Sequence, residues 1–354
     1  MSISKVKVVR LAHVHYAHPD LQRGVDFLLD FGMIEASREG QKVYLRGYGI
    51  QPYVYLAEQS PDDKRHFLGG YWAVESEAEL QKAANLPNAS PIKDLEGPGG
   101  GKVVTIVDPN GHVVGFVWGQ QLRTHDMSTS EQVAGSLDKT GGDFNFAAQK
   151  TRKGSWRRFN VGPSPVHKLG HYGYMTRPEK LKETLKWYLD LINLKITDSM
   201  YDPVTGEDET CFMHIDLGQQ YTDHHSFFLG STPNTTKAHV HHSSFEVNDY
   251  DTELLGHDHL RKKGWTNCWG VGRHVLGSQI FDYWFDGSGN VVEHYSDGDM
   301  VNEDTPRGRE PAAIDGIAVW GPNVTLGFAT GRIEDAGKPF VAPPDVQHAT
   351  PAVA

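Results

Sequence analysis

The chain has 354 residues, a net charge of -11, and ordinary apolar and charged fractions of 38% and 22%. That is room for two globular domains with a sizeable core, and the acidic balance excludes the basic surface a nucleic-acid partner needs. No run is long and apolar enough to cross a bilayer, the first residues lack a signal-peptide core, and only Cys211 and Cys268 are present, so no disulfide framework is expected and a reducing, cytoplasmic compartment is.

Taken along the chain, Arg10–Met33 reads as a strand, a short turn and an amphipathic helix. Strand-like runs follow, then a second helix at Glu75–Ala84, then the turn-and-strand segment DPNGHVVGFV at Asp108–Val117. The same order returns in the second half. Lys168–Asn193 repeats strand, turn and helix, and Thr176-Arg177-Pro178-Glu179 predicts a capping box with proline in the first turn. Asp249–Lys263 supplies the second helix, and DGSGNVVEHY at Asp286–Tyr295 aligns without a gap on Asp108–Val117. Each half therefore reads as two strand–helix–strands units. Residues 121–165, rich in Gly, Ser, Thr and charge, are expected to link a domain at 1–120 to one at 166–303. Residues 304–354 form a Pro- and Gly-rich extension that is expected to wrap the second domain and then fray.

The two halves differ in their donors. Glu293 lies in an otherwise apolar run, where a carboxylate is costly unless paired or bound to a metal. Its counterpart is Gly115, and His242 falls opposite the region of Gly69, which holds no donor. Only His171 keeps a counterpart, His13, which is expected to be a hydrogen-bonded core residue. Strand alternation puts His242 and Ser244 on one face and turns His294 away from Glu293. Phe281, Tyr283 and Phe285 share a face and predict an aromatic pocket wall. Two histidines and one carboxylate are the facial triad of mononuclear non-heme iron enzymes. A single strand histidine is more often a core residue than a ligand; the concentration of donors in one copy of a duplicated scaffold favours a metal.

These residues resemble the two-domain extradiol ring-cleaving dioxygenases of the vicinal oxygen chelate superfamily, the catechol 2,3-dioxygenase and homoprotocatechuate 2,3-dioxygenase type, over roughly Val6 to Asp304. The resemblance implies an α+β fold of four βαβββ modules paired into two domains, each an open curved sheet. It implies His171, in the Leu-Gly-His strand, His242, the latter of His241-His242, and Glu293, after the turn, as metal ligands. It also implies His225 as acid–base group, with His274 of Gly-Arg-His and Tyr283 contacting substrate. One position departs: the turn before Glu293 reads Asp286-Gly287 where the family usually has Asp-Pro, whereas Asp108-Pro109 keeps proline. The implied cofactor is Fe(II), with Mn(II) also compatible with the donor set; the implied substrates are a catechol-type diol and O2, and a homo-oligomer is expected. Neighbouring histidines His224, His239, His241 and His294 are expected to lie in supporting, exterior or surface positions. The alternatives are a metal-free binding protein on this scaffold, and a 4-hydroxyphenylpyruvate dioxygenase-like or glyoxalase-like enzyme. Gly115 counts against the glyoxalase-like one by removing the second glutamate that such an isomerase uses.

Overall fold

The computed structural model describes residues 5–124, 144–154, 156, 159–232, 235–312 and 317–341. Part of the expected linker and the end of the expected extension lie outside the described residues. Strand β1 (Val8–His18), helix α1 (Leu21–Asp30), and strands β2 (Ile34–Glu39), β3 (Lys42–Arg46) and β4 (Tyr55–Gln59) make the first module. Strand β5 (His66–Val74), helix α2 (Glu77–Ala84), and strands β6 (Lys93–Asp94), β7 (Lys102–Val107) and β8 (Val113–Trp118) make the second. The order repeats with β9 (Leu169–Thr176), α3 (Pro178–Leu191), β10 (Leu194–Tyr201), β11 (Asp208–Ile215), a two-residue β12 (Thr222–Asp223) and β13 (Phe227–Ser231). The fourth module holds β14 (His239–Glu246), α4 (Tyr250–Lys263), β15 (Thr266–His274), β16 (Ile280–Phe285) and β17 (Val291–Ser296). This is the expected α+β architecture of four βαβββ modules.

Each pair of modules shares one open sheet. The first runs β2-β3-β4-β1-β5-β8-β7-β6, and the second contains the matching order β10-β11-β13-β9-β14-β17-β16-β15. The modules meet in the middle through an antiparallel pair, β1 with β5 and β9 with β14. The second sheet extends beyond the duplicated pattern. Strand β19 (Gly308–Pro311) adds to one edge and β20 (Ala318–Trp320) to the other, while β18 (Met300–Val301) pairs with β12. Both edge strands come from the region after residue 303, and helix α5 (Leu326–Thr330) follows them.

Local chemistry explains most helix boundaries. Asp20, Ser76 and Asp249 each accept a backbone N–H two or three residues into α1, α2 and α4, and Gly264 ends α4 in the left-handed region. Helix α3 corrects the capping-box expectation. Its N-cap is Arg177, which makes no side-chain cap, and Thr176, one residue earlier, directs its hydroxyl to Asn110 Oδ1 at 3.0 Å. Pro178 in the first turn still favours the start, since its missing N–H is one the helix leaves unpaired anyway.

The halves are fused through one continuous apolar core that takes residues from both sheets, among them Trp72, Tyr172, Phe31 and Phe245. Polar links cross the same boundary: Trp72 Nε1 donates to Tyr172 Oη (3.0 Å), and His294 Nε2 donates to the Phe31 carbonyl (2.7 Å). The turn before Glu293 sits against α1. A Cβ at Gly287 would stand 2.5 Å from the Arg23 carbonyl oxygen, so neither a proline ring nor any other side chain fits there. The departure from Asp-Pro is thus a packing requirement of the joint between the halves. Gly287→Ala should therefore lower the denaturant midpoint by the equivalent of about 1–3 kcal/mol; an unchanged midpoint would show that the joint yields freely.

Candidate metal centre and active site

The central strands of the second sheet bring three donors together by register. His171 on β9 and Glu293 on β17 both stand opposite Ser244 of β14, and His242 lies two residues further along β14 on the same face. The result is a compact triangle. His171 Nε2 lies 3.1 Å from His242 Nε2 and 3.1 Å from Glu293 Oε2, and His242 Nε2 lies 3.4 Å from that same oxygen. All three side chains are buried, Glu293 completely. Among the described residues this is the group of His, Cys, Asp or Glu able to hold a metal ion. Metal–nitrogen and metal–oxygen bonds near 2.1 Å at right angles put adjacent donors about 3 Å apart, which is the size of this triangle.

Protonation makes the case sharper. His241 Nε2 donates to the Phe328 carbonyl (3.1 Å), so its Nδ1 must accept, and the donor across the 2.7 Å contact is His242 Nδ1. His242 Nε2 then carries only a lone pair and faces the lone pairs of Glu293. Burial is the larger influence on His242 and lowers it to about 4 despite Glu293, so it stays neutral at ordinary pH. Burial alone would raise the Glu293 carboxyl, yet the adjacent His171 imidazole opposes it and the carboxyl is held well below the usual carboxylate range. Neither Glu293 oxygen receives a well-directed hydrogen bond. A buried anion facing aligned lone pairs is the environment a divalent cation fits.

The other expected site residues surround this triangle. The His225 ring packs 4.0 Å from the His171 ring, and burial, followed by neighbouring imidazoles, holds it neutral. Tyr283 stands opposite Glu293 in the β16–β17 register. Its Oη lies 2.9 Å from His274 Nε2, and burial followed by the Glu293 charge raises its phenol well above the usual range. His274 Nδ1 donates to the Ile317 carbonyl (3.1 Å), so in the neutral ring Nε2 accepts the Tyr283 hydroxyl. The wall is aromatic as expected: Phe281, Tyr283 and Phe285 cluster with Trp269, and Phe228 packs against His242 at 4.8 Å. Arg273 does not enter the pocket; it binds the Ser278 carbonyl and Asp297.

The neighbouring histidines divide between supporting and exterior positions. His239 is exposed and His294 turns away, stacked on Phe31 at 3.6 Å. His241 and His224 take the supporting positions. His241 anchors His242, and His224 Nδ1 meets His225 Nδ1 at 3.0 Å while its Nε2 meets Asp198 Oδ2 at 2.6 Å. Sequence reasoning passed over Asp198, and the only signal was the doubled histidine itself. Phe328 and Ile317 were also missed, because they act through backbone carbonyls, which carry no residue signature.

The first sheet shows why one copy lacks the triad. Tyr71 stands opposite both His13 and Gly115, the place Ser244 holds in the second sheet. A Cβ on Gly115 would lie 2.0 Å from the Tyr71 ring, so that ring occupies the space a carboxylate would need. His13 is a core residue, but its ring is held by stacking on Tyr71 (4.3 Å) and a tilted contact with Tyr53 (4.5 Å), and its Nδ1 has no hydrogen-bond partner.

Residues 168–294 match the family model described as Glyoxalase/Bleomycin resistance protein/Dioxygenase superfamily. A relative, Metapyrocatechase 2 of Cupriavidus necator, is 32% identical over 316 residues, covering 88% of each chain. Homoprotocatechuate 2,3-dioxygenase from Brevibacterium fuscum, solved with 3,4-dihydroxyphenylacetate, superposes with a TM-score of 0.73 at 15% identity, over 93% of this chain and 94% of the other. A Mn(II)-bound glyoxalase from Novosphingobium aromaticivorans superposes with a TM-score of 0.70 at 17% identity, over 95% and 96%. At these identities the two structures share the fold.

Glu293→Ala and His242→Ala should each abolish stoichiometric metal binding, whereas His13→Phe should leave one ion per chain, as read by elemental analysis. His241→Phe, which removes the anchor of His242 but no donor, should weaken metal affinity about 10- to 100-fold in a competition titration.

Proposed function

The chain belongs to the two-domain extradiol ring-cleaving dioxygenases of the glyoxalase/bleomycin resistance protein/dioxygenase superfamily, and from that membership we propose that it opens catechol-type diols with O2 at an iron(II) held by His171, His242 and Glu293. The observation that carries this reading is the buried triangle of donor atoms with edges of 3.1, 3.1 and 3.4 Å. Bound there, a divalent ion would leave positions open for a chelating diol and for O2, would acidify the diol, and would let electron density pass from ring to gas. Mn(II) suits the same donors, and iron is proposed from the family resemblance.

The protein's own groups then do the rest. His225, neutral and beside the triad, takes the proton of the second diol hydroxyl on Nε2 and returns it as the ring opens. Tyr283 is held in its phenol form and donates to a substrate oxygen when it leaves His274 Nε2. His274 donates to substrate only when its ring carries a second proton, because Nδ1–H is committed to Ile317. The aromatic wall orients the diol ring and excludes water. Both oxygen atoms enter the product, and cleavage beside the diol yields a ring-opened semialdehyde acid.

Further assignments follow from the same reading. The two cysteines are free and buried, which fits a reducing cytoplasm. Val319 and Trp320 lie exposed on edge strand β20, which supports a homo-oligomer. No helix among the described residues is long and apolar enough to cross a membrane.

Iron-loaded protein should consume one O2 per catechol and form a product absorbing in the near-visible range. His225→Phe should retain iron and lose about 10²–10⁴-fold in kcat. Absence of oxygen uptake across a broad diol panel would overturn the assignment, and full activity in His225→Phe would remove that residue from the mechanism.

A further inference from the structure

Behind His225 lies a short chain of hydrogen bonds that neither the resemblance nor the triad requires. His224 Nε2 sits 2.6 Å from Asp198 Oδ2, and His224 Nδ1 sits 3.0 Å from His225 Nδ1. His224 and His225 are buried, at 3% and 5% exposure, so water does not readily replace either partner. The aspartate reaches this place through a fault in its strand. The β10–β11 register slips between Ile196 and Asp198, leaving Thr197 as an extra residue. Thr197 turns inward and its hydroxyl donates to the His224 carbonyl (2.7 Å), fixing the backbone that carries both rings. Strand β19 pairs alongside Asp198 at Gly308 and completes its surroundings.

Proton counting gives this chain a direction. A carboxylate only accepts, so the proton between Asp198 and His224 belongs to His224 Nε2. A neutral imidazole has one N–H, so His224 Nδ1 accepts, and the proton of the Nδ1–Nδ1 contact belongs to His225. The remaining nitrogen of His225, Nε2, therefore carries a lone pair, and it has no hydrogen-bond partner among the described residues. The neighbouring doublet is wired in the same way. The Phe328 carbonyl accepts from His241, His241 accepts from His242, and the Nε2 lone pair of His242 points into the triad. In each doublet the second ring works in the pocket and the first sets its tautomer.

We propose that Asp198, acting through His224, is a positioning pair that holds His225 in the tautomer whose Nε2 accepts the diol proton. This rests on the ring-cleavage reading above. A histidine in the opposite tautomer presents N–H to the diol and cannot act as a base, the same logic by which a buried aspartate orients the histidine of a serine-protease triad.

The test uses iron-loaded full-length protein with three substitutions: Asp198→Ala, His224→Leu, which removes the acceptor for His225, and His224→Gln, which keeps a carbonyl to accept from it. Two readouts are taken. One is kcat and KM for oxygen consumption with catechol. The other is the visible spectrum of the anaerobic complex with 4-nitrocatechol, whose singly and doubly deprotonated forms differ in colour. Asp198→Ala and His224→Leu should lose about 10- to 100-fold in kcat, with KM and iron content near parental values, and should bind the singly deprotonated probe. His224→Gln should restore most of the rate and the doubly deprotonated spectrum. Parental rates and spectra in Asp198→Ala and His224→Leu would overturn the proposal and leave ring cleavage intact. Equal losses in His224→Leu and His224→Gln, accompanied by lost iron or a lowered melting temperature, would reduce the pair to a structural role and also overturn it. A parent protein that consumes no oxygen with any diol would take down the ring-cleavage reading, and this proposal with it.

Discussion

The architecture depends on placing three lone-pair donors about 3 Å apart in a site closed to bulk water. Neighbouring strands are about 4.8 Å apart, so His171 and Glu293, one strand either side of β14, start about 10 Å from each other. They meet because both lean over Ser244, whose small side chain leaves the space between them open. His242 closes the triangle from two residues along the same strand. Left uncompensated, a fully buried carboxylate facing an imidazole lone pair costs several kcal/mol. The cation that removes this cost is therefore tied to the stability of the central strands as well as to chemistry.

The duplicated half shows the alternative solution to the same backbone. Where the second sheet has a small residue flanked by two donors, the first has the large Tyr71 flanked by His13 and Gly115. The exchange is reciprocal: the bulky ring requires the glycine, and the glycine leaves room for the ring. That half buries apolar surface where its twin buries charge, and it contributes to function by supplying the wall against which the catalytic half is built. Phe31 from the first half stacks on His294, the residue after Glu293, and Tyr16 Oη lies 2.7 Å from Ser243 Oγ, the residue after His242. The strands that carry the ligands are thus buttressed from behind by the half without a metal site.

Much of this was legible from sequence because it is local. Strand alternation, turn residues and the gapless match of Asp108–Val117 to Asp286–Tyr295 depend on short-range geometry, and Glu293 against Gly115 is visible in that match. What could not be read is set by contacts between distant strands. Asp198 lies 26 residues from His224 and meets it only because of a bulge. The capping box at Thr176 failed because the helix starts one residue later, with Arg177 as its N-cap, while the Thr176 hydroxyl donates to Asn110 of the other half. His224 and His241 look dispensable from sequence, since alternation turns the first ring of each doublet away from the pocket. That turn is what lets each reach the Nδ1 of its neighbour.

The segment after residue 303 completes the same logic from outside the duplicated modules. Two carbonyls from it, Ile317 and Phe328, accept from His274 and His241. A carbonyl has no proton to give at any pH, so it fixes the direction of a hydrogen bond in a way that a hydroxyl or a second imidazole cannot. Each of these carbonyls ends a chain whose other end is a nitrogen in the pocket: Nε2 of His274 and, through His241, Nε2 of His242. Phe328 also places its ring 4.8 Å from Tyr283 and 4.6 Å from Trp269, so the segment closes the aromatic wall with its side chain while its backbone sets proton positions. The βαβββ modules thus supply the donors, and the added segment sets the tautomers of His274 and, through His241, of His242.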